Sequence, residues 1–308
     1  MDRVSDVERH EMARIPVRSP FNLALTVGAL RRLPHAALYP FVDDELRLVA
    51  ALPSGYHLLA IRALGGAADA LTLAALDGPL SREDASATSS LVAQMLGVER
   101  DLTPVRKLIE DDQILGPLID QLAGLKPPRF ASLWETFCQV VPFQQVSLSA
   151  AVATLNRFVM ALGPERSVDG RRYWGVPAPE RVVAADAETL RRCGLSAAKA
   201  QTLRGLAERA LAGDLNADAF DGLTDEEAIT ELTRLPGIGR WSAQVALLRG
   251  LGRLSVFPAG DSGAARGLRD LFPAHEQPDI AAHALLERLG PWRGYLYFLL
   301  LGRRLLAA

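Results

Sequence analysis

The sequence is poor in cysteine and in long apolar runs. Only Cys138 and Cys193 occur among 308 residues, so the chain lacks the four thiolates of an iron–sulfur cluster and has no disulfide framework. The longest apolar run, residues 295–301, is far shorter than a membrane span. The charged N-terminal segment lacks the apolar core of a signal peptide. We therefore expect a cytoplasmic protein that does not contact a membrane.

The sequence also has no net positive charge. The net charge of −2 argues against a protein that coats nucleic acid without specificity. The five histidines are scattered, so we expect no metal site built from side chains. Arginines nevertheless gather in the last third of the chain, where each could belong to a basic face or be an ordinary solvated helix charge. They are Arg240, Arg249, Arg253, Arg266, Arg269 and Arg293.

The first part of the chain has the pattern of a sheet. Short apolar segments at 45–52, 56–64 and 70–76 are separated by glycine and proline turns, and residues 11–17 can add another strand. Residues 21–33 suit a helix, and from Ser81 onward the pattern is helical, with a loop expected at 173–179. We predict an α+β fold, with an antiparallel-sheet domain over residues 1–80 and a mostly α-helical region over 81–308.

The most informative stretch runs from residue 223 to 268. Thr224 and Glu227 form the pattern of a capping box, which begins a helix. That helix must end at Pro236 and Gly237, because proline lacks an amide donor and glycine allows a positive φ. A second helix begins near Arg240. The sequence therefore predicts a helix–hairpin–helix unit over residues 224–250.

The hairpin can be read in two ways. The backbone N–H groups of Gly237 and Gly239 lie at a helix N-terminus, where they attract an anion such as phosphate, and glycine lets the anion approach closely. The alternative is an ordinary turn between two helices.

An acidic residue follows in the loop at 256–262. Asp261 comes directly after the turn Pro258–Gly260 and directly before a helical stretch. It can be a simple N-cap, or a functional carboxylate whose negative charge the helix terminus stabilises.

This combination of motifs resembles the helix–hairpin–helix-GPD superfamily of DNA base-excision glycosylases, most closely the branch of 3-methyladenine DNA glycosylase II. The resemblance implies that Asp261 is catalytic and that Trp241 and Trp292 line the base pocket. It also implies DNA-backbone contacts from the hairpin residues, which are Leu235, Gly237, Ile238, Gly239 and Arg240.

Other positions refine the resemblance. Relatives with lyase activity carry a lysine where this chain has Trp241, so no Schiff base is expected. Gln145 falls at the position of the wedge, the side chain that fills the gap left by an extruded nucleotide, although it could equally be a polar helix start. Phe143, Val245 and Ser262 depart from the family pattern and leave the shape of the pocket open.

The resemblance implies a monofunctional glycosylase that acts as a monomer on double-stranded damaged DNA, without a protein partner. It would excise alkylated purines of the 3-methyladenine and 7-methylguanine type. The alternatives are a glycosylase for oxidised or deaminated bases and a non-catalytic DNA-binding protein. No cofactor is implied, except that the carbonyl groups of Leu235 and Ile238 could bind a monovalent cation.

Overall fold

The structure, a computed structural model, describes residues 10–65, 69–273 and 275–306. The segment on which the absence of a signal peptide rests, residues 1–9, lies outside these ranges, as does residue 66 of the expected glycine turn. Within the described ranges, no helix combines the length and apolar character needed to cross a membrane.

An antiparallel sheet forms the N-terminal part of the fold, as predicted. Its five strands are β1 (His10–Pro16), β2 (Phe41–Val42), β3 (Glu45–Leu52), β4 (Gly55–Leu64) and β5 (Ala70–Ala75). They lie in the order β1-β5-β4-β3-β2, so only β1 is displaced from chain order.

Helices make up most of the remaining structure. They are α1 (Leu23–Arg31), α2 (Arg82–Leu96), α3 (Thr103–Ile109), α4 (Leu115–Gln121), α5 (Leu133–Val140), α6 (Leu148–Leu162), α7 (Pro179–Ala184), α8 (Ala187–Arg192), α9 (Ala197–Leu211), α10 (Asp225–Thr233), α11 (Arg240–Arg249), α12 (Ser262–Arg269), α13 (Pro278–Leu289) and α14 (Arg293–Leu306). The α+β class is thereby confirmed, whereas the boundary at residue 80 stays a prediction. Contacts cross this boundary, because α2, just after it, packs against β1 and β3, and α1, from the N-terminal part, packs against the C-terminal helix α14.

The expected loop at 173–179 is partly wrong. Arg171–Trp174 forms a strand, β7, that pairs with β6 (Glu165–Val168) in a two-stranded antiparallel hairpin. The turn residues Asp169 and Gly170 both have positive φ, which suits the right-handed twist of a two-residue hairpin. The Asp-Gly pair was a readable signal for this hairpin. Tyr173 packs with Val49 and Leu58 of the large sheet.

Helix α11, the second helix of the predicted hairpin unit, lies between two apolar cores. Leu247 belongs to a core that extends from the sheet to α9 and α10, whereas Leu248 belongs to a second core formed mainly by α3, α4 and α12–α14. Five consecutive residues of this helix, from Val245 to Arg249, are buried, so burial extends around its whole circumference. The hairpin is therefore anchored on the most enclosed helix of its unit.

Arg249 ends α11 and is 0% exposed. Its Nη2 donates to the carbonyl oxygens of Ala29 (3.0 Å) and Leu30 (2.8 Å), which lie in the last turn of α1. The guanidinium carbon is 4.5 Å from the centre of the Phe130 ring and 5.8 Å from that of Phe298. A cation suits the C-terminal end of a helix dipole, so Arg249 joins α11 to α1 through charge-assisted hydrogen bonds.

Replacing Arg249 should therefore cost far more stability than replacing a surface arginine. We expect Arg249→Ala to lower the free energy of unfolding by about 3–5 kcal/mol, because it leaves buried carbonyls unpaired and a cavity between aromatic rings. Urea denaturation followed by circular dichroism measures this.

The matched control is Arg191→Ala, which removes an exposed partner of Glu188 and should change stability by less than about 0.5 kcal/mol. Arg249→Lys keeps the charge but loses the planar fork, so it should fall between the two. Equal effects of Arg249→Ala and Arg191→Ala would contradict this role of Arg249.

Candidate nucleic-acid interface and active site

The helix–hairpin–helix unit forms as the sequence predicts. Thr224 and Glu227 make a complete capping box at the start of α10. Gly237 has φ +81°, and a Cβ atom there would lie 2.0 Å from Thr202 Oγ1 on α9. The conformation and the close approach of α9 thus both require glycine at this position.

Gly239 differs from Gly237 because, in the described part of the chain, the space that its side chain would occupy is empty. It is the N-cap of α11, in an extended conformation, and no side chain caps the helix there. A Cβ atom at Gly239 would have no neighbour within 4 Å among the described residues. The start of α11 thus combines backbone N–H groups that no side chain caps with open space at the missing Gly239 side chain, an arrangement compatible with an anion at a helix N-terminus.

Acidic side chains of the same chain partly neutralise the basic face that the sequence suggested. Arg240 forms a two-pronged ion pair with Glu226, at 2.6 and 2.9 Å, and Arg253 donates to Asp225 and to two backbone carbonyls. The Arg240–Glu226 pair is exposed, so exchanging Glu226 for a phosphate costs little. Arg249, counted with this face from the sequence, is buried instead.

Asp261 is the N-cap of α12. Its Oδ1 accepts a hydrogen bond of 2.9 Å from the Ala264 amide, and its own amide donates to the Pro258 carbonyl oxygen at 2.9 Å. The side chain is only partly buried, which leaves room for a reactant beside it. The positive end of the α12 dipole stabilises a negative charge at this position.

Trp241 lies next to this loop. A Cβ atom at Gly260, the residue before Asp261, would be 3.5 Å from the Trp241 Cβ. Trp241 is half-buried, and its indole Nε1 has no hydrogen-bond partner among the described residues. The structure therefore brings the tryptophan after the hairpin and the predicted catalytic carboxylate to one place.

Sequence reasoning missed a second charged group at this place. A methyl group added at Gly263 would lie 3.2 Å from Asp261 Oδ1 and 3.3 Å from Arg304 Nη1, so the two groups flank the same point. Arg304 comes from the last turns of α14, and nothing in its local sequence marks it. Only the packing of α14 against α12 reveals it.

Arg249 adds a buried charge that interacts with Asp261. Burial lowers its pKa to about 9, and the like charge of Arg32 adds to this effect, whereas Tyr297 and Asp261 oppose it. The guanidinium thus remains charged at neutral pH and interacts favourably with the Asp261 carboxylate.

Trp292 is placed elsewhere. It precedes α14, whereas Arg304 near Asp261 lies twelve positions further on, a helical rise of about 18 Å. Trp292 lines a cavity of about 520 Å³ with residues such as Arg100, Arg129 and Leu254, and neither Trp241 nor Asp261 is in that lining. The structure does not bring Trp292 to Asp261, and its assignment to the base pocket stays a prediction.

Gln145 lies at the tip of a tight loop between α5 and α6. It has a positive φ of 54° and an exposed side chain. Helix α6 begins at Leu148 with Ser147 as its N-cap, so Gln145 precedes the helix and is not its polar start. Phe143, the departure noted from the sequence, lies beneath the Arg32 guanidinium, 4.6 Å from its carbon.

Metal ligands are not grouped in the described parts of the chain. No cluster of three or more His, Cys, Asp or Glu side chains is found there. At the hairpin, the Leu235 carbonyl oxygen accepts a 3.0 Å hydrogen bond from the Ile238 amide.

The hairpin at the start of α11 lies beside the indole of Trp241 and the loop that carries the Asp261 carboxylate. This arrangement defines a helix–hairpin–helix protein with a carboxylate at its candidate site. The profile of the HhH-GPD superfamily of base excision DNA repair proteins matches residues 138–291, half of the chain. The chain belongs to this superfamily.

Individual proteins are similar to this chain in sequence or in fold. The chain is 22% identical to the DNA-3-methyladenine glycosylase of Bacillus subtilis over 93% of this chain and 94% of that protein. It is 34% identical to DNA-3-methyladenine glycosylase 2 of Escherichia coli over 59% of this chain and 61% of that protein. The solved structure of a 3-methyladenine DNA glycosylase from Archaeoglobus fulgidus superposes with a TM-score of 0.80 at 24% identity, covering 95% and 98% of the two chains.

The two hairpin glycines should respond differently to the same substitution. We expect Gly237→Ala to lower the free energy of unfolding by about 2–4 kcal/mol, through strain at positive φ and overlap with Thr202. Gly239→Ala should leave stability within about 1 kcal/mol of the wild type. It should nevertheless weaken duplex DNA binding by roughly tenfold, since its methyl group holds a phosphate away from the N–H donors.

Thermal unfolding and fluorescence anisotropy with a labelled duplex measure the two effects. Adding Thr202→Ala to Gly237→Ala should recover part of the stability, because it removes the atoms nearest the new methyl group. Unchanged DNA affinity of Gly239→Ala would rule out phosphate binding at this helix end.

Proposed function

We propose that this chain is a monofunctional DNA glycosylase that extrudes alkylated purines of the 3-methyladenine and 7-methylguanine type from duplex DNA and hydrolyses their glycosidic bond, leaving an abasic site. The observation that carries the proposal is the placement of Asp261, an N-capping carboxylate, beside Trp241 and the hairpin. The names of the similar proteins from B. subtilis and E. coli support the same activity.

The carboxylate suits the chemistry of this bond. Cleavage between base and deoxyribose passes through an oxocarbenium-like transition state, in which positive charge develops on the sugar. A negative charge held beside the sugar stabilises that state electrostatically. In this mechanism Asp261, fixed by its bond from the Ala264 amide, supplies the charge and orients the attacking water.

The leaving base needs little help. A purine alkylated on N3 or N7 carries a positive charge and departs as a neutral base, so no strong general acid is required. An aromatic face attracts such a cation, by about 1–2 kcal/mol for a good contact. Trp241 provides this face, and because it replaces an amine, the proposed enzyme does not cleave the abasic strand.

The hairpin would hold the DNA backbone through the amides near Gly237 and Gly239, with Arg240 as a charged neighbour. The carbonyl oxygens of Leu235 and Ile238 would supply ligands to a monovalent cation shared with a DNA phosphate. The bond that the Leu235 carbonyl accepts from Ile238 leaves it a second lone pair, so the donor set fits such a cation. We propose that the enzyme acts as a monomer.

Asp261→Asn tests the reaction and the residue together. Asparagine is an equally good N-cap, so the fold should be retained while the charge is lost. We expect single-turnover release of 3-methyladenine and 7-methylguanine from dimethyl-sulfate-treated duplex DNA to fall by about 100-fold or more. Chromatography of the free bases measures it.

Asp186→Asn is the matched control, because Asp186 also caps a helix through its Oδ1, at the start of α8. It should excise like the wild type. Full activity of Asp261→Asn would sink the catalytic assignment. Absence of release by the wild type would turn the search to oxidised or deaminated bases, or to a non-catalytic binder.

The two tryptophans can be separated by one substitution. Trp241→Leu keeps apolar bulk but loses the aromatic face, so we expect kcat/KM on 7-methylguanine to fall by roughly tenfold. Trp292→Leu should stay close to the wild type, because Trp292 lines a cavity whose lining includes neither Trp241 nor Asp261. If Trp292→Leu loses as much activity as Trp241→Leu, both indoles form the pocket, as the family resemblance implies.

A further inference from the structure

The loop that carries the predicted wedge has an exposed tip. We call residues 141–147 the wedge loop. At its tip, Gln145 has its side chain in solvent and Val146 is 47% exposed, which is high for an apolar side chain. A polar and an apolar side chain therefore project together from this turn into solvent.

The base of the wedge loop is held from two sides. The Arg32 guanidinium covers the Phe143 ring at 4.6 Å. Lys199 on α9 donates through Nζ to the Pro142 carbonyl oxygen at 3.0 Å. The loop is thus built in advance of any ligand, so inserting its tip into DNA requires little ordering of the backbone.

A single side chain joins the wedge loop to the hairpin. Gln144 Nε2 donates to the Gly237 carbonyl oxygen (2.9 Å) and to Ser242 Oγ (3.0 Å). Gly237 lies in the hairpin turn, and Ser242 is a buried residue in the first turn of α11. Because the backbone carbonyl can only accept, the amide nitrogen of Gln144 must face it.

We infer that Gln144 is a positioning residue that fixes the wedge tip relative to the phosphate-binding hairpin. Gln144 directly precedes Gln145, so a hairpin seated on a phosphate sets where the tip meets the base stack. The inference rests on the proposed function, since it concerns the extrusion of a nucleotide. It assigns Gln144 to the placement of the wedge tip only, so loss of Gln144 should not weaken the binding of the DNA backbone by the hairpin.

Binding to two duplexes tests this inference. One duplex is undamaged, and the other carries a tetrahydrofuran analogue of an abasic site, a gap that the wedge can fill. Gln144→Met keeps the length of the side chain but removes the donors. We expect it to bind the undamaged duplex within twofold of the wild type, and to lose about tenfold of the preference for the gapped duplex.

A double-mutant cycle distinguishes positioning from a general structural role. If Gln144 acts through the tip, Gln145→Ala should lose the same preference, and the double variant should lose no more than Gln145→Ala alone. Ser242→Ala should have a smaller effect than Gln144→Met, since the bond to the Gly237 carbonyl remains. Equal thermal unfolding of the variants is required throughout.

The inference is overturned if the two losses add, if Gln144→Met weakens binding to both duplexes alike, or if the wild type shows no preference for the gap. Failure of the proposed function has a different signature. In that case the preference and its non-additivity persist, but no base is released from methylated DNA.

Discussion

The interaction on which the rest of the structure depends is the burial of the Arg249 guanidinium against the end of α1. It joins residues more than two hundred positions apart, through carbonyl oxygens that would otherwise lack partners. Because α11 carries the hairpin at one end and Arg249 at the other, the position of the hairpin is tied to the N-terminal segment. The aromatic rings of Phe130 and Phe298 exclude water and strengthen these bonds.

Helix α9 contacts both the hairpin and the wedge loop. Thr202 fills the space that a side chain at Gly237 would need, and Lys199, one turn earlier, holds the wedge loop at Pro142. The loop and the hairpin meet again at Gln144. A phosphate-binding turn and a wedge, two parts of the chain with separate tasks in the proposed function, thus share one rigid frame. Such a frame keeps a binding surface in place without the entropy cost of ordering it.

Features fixed by local chemistry could be predicted from the sequence. The capping box of α10 and the N-cap at Asp261 depend on neighbouring residues, and the structure has both of them. Helix α10 ends at Thr233, slightly before the predicted end at Pro236–Gly237. The antiparallel sheet followed from short apolar segments between turns. The two-stranded hairpin at β6 and β7 was missed, although its Asp-Gly turn could have been read.

Contacts between distant segments could not be predicted. No local pattern distinguishes Arg304, which flanks Gly263 together with Asp261, from Arg303 beside it. Arg249 has the sequence context of a solvated helix charge, yet it is buried. The position of Trp292 depends on the direction of α14, which only the packing of that helix determines. In each case the information lies in the tertiary arrangement of the chain.

The charges around Asp261 limit how the proposed reaction can proceed. Arg249 and Arg304 place positive charge close to a site where a cationic base must bind and where further positive charge develops on the sugar. Guanidinium groups alone would oppose both steps, and in a partly buried site their field is only weakly screened. In the proposed mechanism the Asp261 carboxylate would offset this positive charge in the ground state as well as stabilise the transition state. The base would then be selected by the Trp241 face and not by the arginines.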